Sequence, residues 1–256
     1  QGSFARVKIC QTQDGKKFAI RAESYDSKKQ EKVREFEKAR AIMIKAGVLY
    51  GDVIRKASEN AMFRGTGKSN QHLPTVAKMY QLMGLQEGKE LYDVFVELKR
   101  DKKPLTEAQK LILAIKMVEE IDRLHQLGIV HCDVKPENFV TNIDGEVISI
   151  GAVDFGLSEM LKIENWFIQL ESAVGTPLYM APEMFQGQAS PASDMFSLGV
   201  ILNGKNPHGR KWFFGAWNNR IDDDIRDTGL NLSGFDKMLE EDPSKRLKAV
   251  EVLELL

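Results

Sequence analysis

Cysteine is scarce in this chain, and long apolar runs are missing. Only Cys10 and Cys132 occur among its 256 residues, which gives neither a disulfide framework nor the spacing of a cysteine metal site. This scarcity favours a reducing intracellular compartment. No apolar run approaches the roughly 20 residues that a membrane-spanning helix needs. We therefore expect no membrane span and no disulfide-dependent core.

An excess of charge of either sign is also missing. The 36 Lys and Arg residues nearly balance the 37 Asp and Glu residues, and the net charge is −1. Such a chain has no bulk electrostatic attraction to nucleic acid or to anionic membranes, so we expect no nucleic-acid partner. A length of 256 residues suits two packed units better than one small core.

Three short motifs follow one another in the second half of the chain. They are His131-Cys132-Asp133-Val134-Lys135-Pro136-Glu137-Asn138, Asp154-Phe155-Gly156 and Ala181-Pro182-Glu183. Alone, the second is a common turn and the third a helix start. In this order they resemble the core of the eukaryotic protein kinase family. The resemblance implies an α+β, bilobal fold, with a small β-rich N-lobe that includes a helix called αC at residues 1–84 and a larger, mainly helical C-lobe at residues 85–256.

The resemblance also implies a role for each motif residue in moving the γ-phosphoryl group of ATP to a protein hydroxyl. Asp133 would orient the hydroxyl and accept its proton, while Asn138 and Asp154 would bind Mg²⁺. Lys135, and Thr176 in a Gly-Thr-Pro run, resemble the Ser/Thr-specific members. The predicted acceptor is therefore Ser or Thr on a protein substrate. A small-molecule acceptor is disfavoured, because the Gly-Thr-Pro and Ala-Pro-Glu runs resemble a protein-substrate platform.

The first residues resemble a loop that covers phosphates. Gln1-Gly2-Ser3-Phe4-Ala5-Arg6-Val7 looks like the second half of Gly-x-Gly-x-x-Gly-x-Val, with Ala5 in place of the third glycine. Gly2 and Ser3 are therefore predicted to contact the nucleotide. Because the sequence begins inside this loop, a secretion signal stays open.

Position 21 departs from the family pattern. Phe18-Ala19-Ile20-Arg21 resembles the Val-Ala-Ile-Lys strand, but Arg replaces the Lys that holds the α- and β-phosphates. The guanidinium group of Arg is planar and bulkier than the ammonium group of Lys, so the exchange is not conservative at a crowded phosphate site. Three interpretations stay open: weak or unusual activity, a pseudokinase that serves as a nucleotide-binding scaffold or allosteric partner, and a deliberate Lys→Arg inactivation. Glu37, on a helix predicted over residues 27–46, is the expected partner of Arg21, and Glu35 is the alternative.

Cys132 is the second departure, because many kinases have Arg there to bind a phosphate on the activation loop. Without that Arg, a phosphorylated loop loses its main docking partner. Ser172 lies where an activating phosphosite often falls. The simpler hypothesis is a loop that needs no phosphate, since Glu171 already supplies negative charge.

An adenine pocket is predicted from the register with the family. Met83 would be the gatekeeper, and the backbone of Gly84 and Leu85 would face the adenine edge, with apolar side chains on both sides of the ring. Those apolar residues could equally be plain core. The whole predicted cofactor-binding set is Gly2, Ser3, Val7, Ala19, Arg21, Glu37, Met83, Gly84, Leu85, Glu90 and Val140.

Residues 47–73 form the least familiar stretch. Its Gly67-Lys68-Ser69 run suggests a P-loop, but that motif requires glycine at position 62, which is Met. A mobile, glycine-containing connection is the better interpretation. Whether it braces αC or binds a regulatory partner stays open.

Two further features are predicted in the second half. Thr106 to Leu127 reads as a helix that Thr106 caps and Gly128 ends. Its apolar residues at helical spacing are Leu111, Ile115, Val118, Ile121 and Leu124. A late Asp-Pro-Ser-Lys-Arg-Leu run resembles the family motif whose Arg, here Arg246, pairs with Glu183.

Overall fold

The computed structural model describes residues 6–26, 30–55, 76–161, 166–203 and 235–256. These residues divide into two compact units, one within Gln1–Leu85 and the other within Gln86–Leu256. Strands dominate the first unit, and the second contains most of the helices. The predicted α+β class is confirmed.

The first unit is an antiparallel sheet accompanied by one helix. Its strands are β1 (Arg6–Gln11), β2 (Lys17–Asp26), β3 (Leu49–Arg55) and β4 (Val76–Gly84), and its helix is α1 (Gln30–Lys45). The sheet order is β1-β2-β4-β3. Helix α1 buries Ile42 and Met43, and Ala46 directly after it is also buried. Gly47 follows with a left-handed φ of 74°, which glycine commonly adopts after a helix.

The unfamiliar stretch at residues 47–73 begins as regular sheet. Strand β3 lies within it and pairs with β4, with Leu49 opposite Met83. This strand was not predicted, because its apolar residues do not alternate cleanly. The rest of the stretch, with the Gly67-Lys68-Ser69 run, lies outside the described residues.

The second unit contains short strands and longer helices. Its strands are β5 (Lys89–Glu90), β6 (Ile129–Val130), β7 (Phe139–Asp144), β8 (Val147–Ala152), β9 (Glu159–Met160), β10 (Ile168–Gln169) and β11 (Gln188–Ala189). Its helices are α2 (Leu91–Arg100), α3 (Glu107–Gln126), α4 (Pro191–Asn203) and α5 (Ala249–Leu253), and 3₁₀ turns occupy Pro136–Asn138, Phe155–Leu157, Pro182–Gln186, Asp236–Leu239 and Pro243–Lys245. Within the described ranges, no helix combines the length and apolar character needed to cross a bilayer.

Helix α3 begins as predicted and buries part of the predicted apolar series. Thr106 Oγ1 accepts the N–H of Gln109 at 3.1 Å, and Gln109 Oε1 accepts the N–H of Thr106 at 3.0 Å, which forms a capping box. Val118, Ile121 and Leu124 are buried as expected, but Leu111 is 37% exposed. The buried residues are Leu113, Ala114, Met117, Val118, Ile121 and Leu124. Spacing alone could not place Leu111, because the packing of α3 against β8 and α5 decides which residues are buried.

Helix α4 is a buried support. Every residue from Ser193 to Asn203 is buried, as expected of a helix that is apolar all round. Gly199 permits close packing, since a Cβ there would lie 2.7 Å from Met238 Cβ. Polar side chains on this helix, such as Asp194, are therefore held rigidly and must find partners within the protein.

The predicted pair of Arg246 and Glu183 is present and buried. Arg246 Nη1 and Nη2 donate to the two Glu183 carboxylate oxygens at 2.6 and 2.7 Å, and Ser193 Oγ donates to Oε1 at 2.7 Å. Arg246 also donates to the carbonyls of Glu240 and Glu241. The pair ties the Pro182–Gln186 turn to the last part of the chain.

Replacing Arg246 with Met is expected to lower the free energy of unfolding by about 3–5 kcal/mol, because Glu183 would keep a buried charge without its main partner. The surface pair Lys116–Glu119, at 2.8 Å on α3, supplies the control. Lys116→Met should change the same quantity by less than about 0.5 kcal/mol. Urea unfolding measures both, and equal effects would contradict a structural role for Arg246.

Candidate functional site

The first motif, residues 131–138, is named the catalytic loop below, and it begins at a turn that Asp194 fixes. The Asp194 carboxylate accepts the backbone N–H of His131 at 2.8 Å and that of Cys132 at 2.9 Å. Cys132 has a left-handed φ of 64°, which costs a non-glycine residue about 1–2 kcal/mol. The two bonds offset that cost and set the direction in which the chain reaches Asp133.

Asp133 lies at the centre of a set of side-chain contacts. Thr176 Oγ1 donates to Asp133 Oδ1 at 2.7 Å. Lys135 Nζ lies 2.7 Å from Asp133 Oδ2 and donates to Thr176 Oγ1 at 2.8 Å. Asn138 Nδ2 donates to Asp133 Oδ2 at 3.0 Å and to the Asp133 carbonyl at 2.7 Å. The structure thus brings together four of the five residues that were predicted to be catalytic.

Asp154, the fifth, is linked to the loop through the backbone. The N–H of Val153 donates to the carbonyl of Asn138 at 2.9 Å, which fixes the end of the β7–β8 hairpin against the loop. Asp154 follows with a left-handed φ of 58°. A Cβ at Gly156 would lie 3.2 Å from Asp154 Oδ1, so glycine keeps space beside this carboxylate.

His131 connects the same two motifs through its ring. Its Nδ1 accepts the N–H of Asp133 at 3.4 Å, and its Nε2 lies 3.1 Å from the carbonyl of Val153. With Nδ1 as an acceptor, Nε2 carries the proton and donates to that carbonyl. The ring also packs against Phe155, with centroids 5.4 Å apart. His131 is buried and supports the loop.

Asn138 and Asp154 carry oxygen atoms of the kind that bind a divalent cation. Because Asn138 Nδ2 faces Asp133, Oδ1 is the amide atom that can bind a cation, and Asp154 supplies a carboxylate. Among the described residues, no group of three or more His, Cys, Asp and Glu side chains could hold a metal. Mg²⁺ typically binds through one or two carboxylates, water and phosphate oxygens, so this small donor set suits it.

Four predicted nucleotide-binding residues of the first unit share one face of the sheet. The antiparallel register places Val7 opposite Arg21 and Ala19 opposite Met83, and residues two apart on a strand point to the same side. Ala19 is buried, Arg21 and Met83 are half-buried, and Val7 is 60% exposed. This face therefore combines apolar side chains with one cation.

Glu37 is not placed against Arg21. It is exposed on α1, and within the described residues it makes no ion pair with Arg21. Helical spacing agrees with this, because Glu37 lies on the side of α1 away from Ile42 and Met43. Glu35, the alternative, is exposed as well. Counting from Arg21 could not establish this orientation.

The remaining predicted cofactor residues are spread over both units. The N–H of Gly84 donates to the carbonyl of Val48 at 3.1 Å, so it is committed to the first unit, where Leu85 is half-buried. In the second unit Glu90 pairs with Val140 between β5 and β7. Gly2 and Ser3 lie outside the described residues.

Glu137, for which the motifs predicted no role, has a buried carboxylate with acidic neighbours. Among the described residues its Oε2 is a buried side-chain oxygen without a hydrogen-bond partner. Burial and then the charge of Glu137 raise the pKa of Tyr179. Desolvation, Asp93 and then Glu137 raise the pKa of Glu90, although Glu90 as a whole is exposed. A negatively charged region, named the acidic patch, is thus formed by Glu90, Asp93 and Glu137. Its member Glu137 belongs to the catalytic loop. In the sequence, the one indication of a role for Glu137 is its position inside the first motif.

Glu137→Gln is expected to lower the pKa of Glu90, because removal of a neighbouring negative charge favours the ionised carboxylate. Asp93→Asn should lower the same pKa further, while Glu107→Gln on α3 should leave it unchanged. A carboxyl ¹³C NMR titration measures all three. A Glu90 pKa that does not respond to Glu137→Gln would contradict the acidic patch.

Comparison with known proteins identifies the family. The sequence pattern of the protein kinase domain matches residues 1–255. Calcium-dependent protein kinase 25 of Arabidopsis thaliana is 32% identical over 192 residues, which cover 68% of this chain and 35% of that protein. Calcium-dependent protein kinase 7 of Arabidopsis thaliana is 36% identical over 185 residues, which cover 68% of this chain and 33% of that protein. The chain spans about a third of the length of these curated relatives. Its motifs, their geometry and these matches together establish that the chain belongs to the protein kinase domain family.

Proposed function

We propose that this chain transfers the γ-phosphoryl group of ATP, with Mg²⁺, to Ser or Thr residues of proteins. The observation that carries the proposal is the contact of Asp133 with both Thr176 and Lys135, at 2.7 Å in each case. ATP supplies the transferred group, and Mg²⁺ neutralises charge on its phosphates. Asp133 then orients the acceptor hydroxyl and takes its proton.

The neighbours of Asp133 restrict its carboxylate to one orientation. Thr176 occupies Oδ1, and Lys135 and Asn138 approach Oδ2. A base held in this way loses little entropy when the hydroxyl arrives. The Lys135 side chain remains 20% exposed, which leaves its ammonium able to meet the negative charge that moves between oxygens during transfer. Asn138 Oδ1 and Asp154 would hold the metal.

We expect the nucleotide to use the shared sheet face of the first unit. Val7, Ala19 and Met83 offer apolar surface for a base, and Arg21 offers a cation for phosphate. A site of this kind, mostly apolar with a few polar groups, is typical of cofactor binding. Gly84, Leu85, Glu90 and Val140 complete the proposed set, while Glu37 has no support as a partner of Arg21.

We expect protein substrates that carry a basic side chain near the acceptor residue. The acidic patch contains a buried carboxylate oxygen of Glu137 that lacks a hydrogen-bond partner, and such an atom is costly unless a ligand satisfies it. A guanidinium or ammonium group matches both its charge and its hydrogen-bonding capacity.

We also propose that transfer needs no phosphate on the activation segment, residues 154–183. Position 132 carries a buried thiol instead of a cation. A Cβ at Gly175 would lie 2.7 Å from the Cys132 carbonyl, so the activation segment and the catalytic loop pack backbone to backbone there. Ser158 Oγ donates to the His131 carbonyl at 3.1 Å. These neutral contacts already join the segment to the catalytic loop.

A nucleotide-binding pseudokinase is the second candidate. The observation that favours it is Arg21 in place of Lys, together with the exposed position of Glu37. In that case the arrangement around Asp133 would bind nucleotide and metal and support a partner, without transfer.

Asp133→Asn is expected to lower phosphate transfer to a Ser/Thr/Tyr peptide library by at least about 100-fold, because the amide cannot accept the hydroxyl proton. Asp122→Asn, on the surface of α3, is the matched control and should keep wild-type rates. Transfer of labelled γ-phosphate with Mg²⁺, scored by acceptor residue, gives both answers. Equal rates for Asp133→Asn and the wild type would exclude Asp133 as the base.

Arg21→Lys separates the two candidates. If Arg21 binds the phosphates of ATP less well than Lys would, Arg21→Lys should raise kcat/KM for ATP by about tenfold or more. Tenfold equals ~1.4 kcal/mol of transition-state stabilisation. Arg34→Lys on α1 serves as the control. Phosphate transfer that appears only in Arg21→Lys would mean that the chain with Arg21 is inactive. A lower transfer rate in Arg21→Lys than in the wild type would mean that the site is adapted to Arg. No transfer by the wild type or Arg21→Lys, with nucleotide still bound, would favour the pseudokinase.

A further inference from the structure

Gln81 places a buried amide in the middle of the sheet of the first unit. It lies on β4, two residues before Met83, and it is only 4% exposed. The amide carries an oxygen that accepts and a nitrogen that donates, yet no hydrogen bond joins this side chain to another described residue. A buried polar group without a partner lowers stability. Gln81 therefore needs an explanation beyond the packing of the sheet.

The register of the sheet places Gln81 beside Arg21. The two residues lie directly opposite each other between β2 and β4, and Arg21 lies opposite Val7 between β1 and β2. Opposed residues of antiparallel strands project from the same face, with Cβ atoms about 4.5–5.5 Å apart. Gln81 therefore belongs to the shared sheet face on which the nucleotide is proposed to bind, and its side chain is long enough to meet that of Arg21.

Burial increases across this face from the edge strand to the interior. Val7 is 60% exposed, Arg21 is half-buried and Gln81 is 4% exposed, so a ligand on the open side reaches Arg21 before Gln81. A guanidinium group has five N–H donors, and a bidentate contact with phosphate uses two of them. The N–H groups that face inward then need an acceptor from the protein. Gln81 Oε1 is the acceptor that the register supplies.

We infer that Gln81 is a positioning residue for nucleotide binding, one whose Oε1 accepts a hydrogen bond from the Arg21 guanidinium when phosphates occupy the outer side of that group. The inference rests on the proposed binding of a nucleotide, but it does not depend on phosphate transfer. A neutral amide leaves the positive charge of Arg21 available to phosphate, whereas a carboxylate would neutralise it. This role agrees with the exposed position of Glu37, which within the described residues makes no ion pair with Arg21.

Gln81→Met tests the inference, because Met has about the same length but lacks the amide oxygen. In calorimetric titrations, Gln81→Met should weaken the binding of Mg·ADP and Mg·ATP by about tenfold, as expected for loss of a hydrogen bond to a charged group. The binding of adenosine, which has no phosphate, should not change. Gln11→Met on β1, which removes an exposed bond to the Gly15 carbonyl, is the matched control and should bind all three ligands as the wild type does.

A second comparison separates positioning from direct contact with the ligand. In an Arg21→Met background, Gln81→Met should cause no further loss of ADP affinity, because the hydrogen bond no longer has its donor. The thermal midpoint of the nucleotide-free Gln81→Met chain should equal or exceed that of the wild type, since an apolar side chain replaces a buried amide without a partner. If Gln81→Met does not fold, Gln81→Leu takes its place.

Three results would overturn the inference: unchanged ADP affinity in Gln81→Met, a loss of affinity that is equal for adenosine and ADP or comes with a lower thermal midpoint, and a further loss in the Arg21→Met background. If the wild type binds ADP about tenfold more tightly than Gln81→Met but transfers no phosphate, the inference holds and the proposed transfer fails. A wild type that binds no nucleotide would overturn both.

Discussion

The buried carboxylate of Asp194 is the interaction on which the candidate site depends. It lies in a helix with no exposed face, so it cannot move toward solvent, and it needs donors from within the protein. The catalytic loop supplies two backbone N–H groups, at 2.8 and 2.9 Å. In return the loop keeps a strained turn at Cys132, and Asp133 leaves that turn in a fixed direction. The buried charge of Asp194 therefore determines the direction in which Asp133 leaves the turn.

Two further connections complete the arrangement in the second unit. The β7–β8 hairpin brings Asp154 to the loop through the bond from Val153 to Asn138, and the activation segment brings Thr176 to Asp133. Neither connection needs a phosphate group. A site assembled in this way is ordered before any phosphate, metal or substrate is bound, which reduces the entropy lost on binding.

The motifs predicted the second unit better than the first. Asp133, Lys135, Asn138 and Thr176 could be singled out from the sequence because they match the family motifs, and the structure brings them together. Burial was harder, because the exposed position of Leu111 depends on packing partners that periodicity does not reveal. Glu37 was chosen by counting along the chain, which ignores the rotation of a helix. Glu137 offered only its position inside the motif, and the contact of His125 with Asp194 offered no sign, since a buried oxygen without a hydrogen-bond partner and a bond across 69 residues exist only in three dimensions.

The most direct test is single-turnover transfer by chain that carries no phosphate, with its mass verified before the assay. We predict transfer from Mg·ATP to Ser or Thr in peptides that contain a basic residue, at a rate that prior phosphorylation does not raise. Transfer that begins only after Ser172 is phosphorylated would contradict a site assembled by neutral contacts. Absence of transfer from both the phosphate-free and the phosphorylated chain would contradict the proposed kinase activity itself.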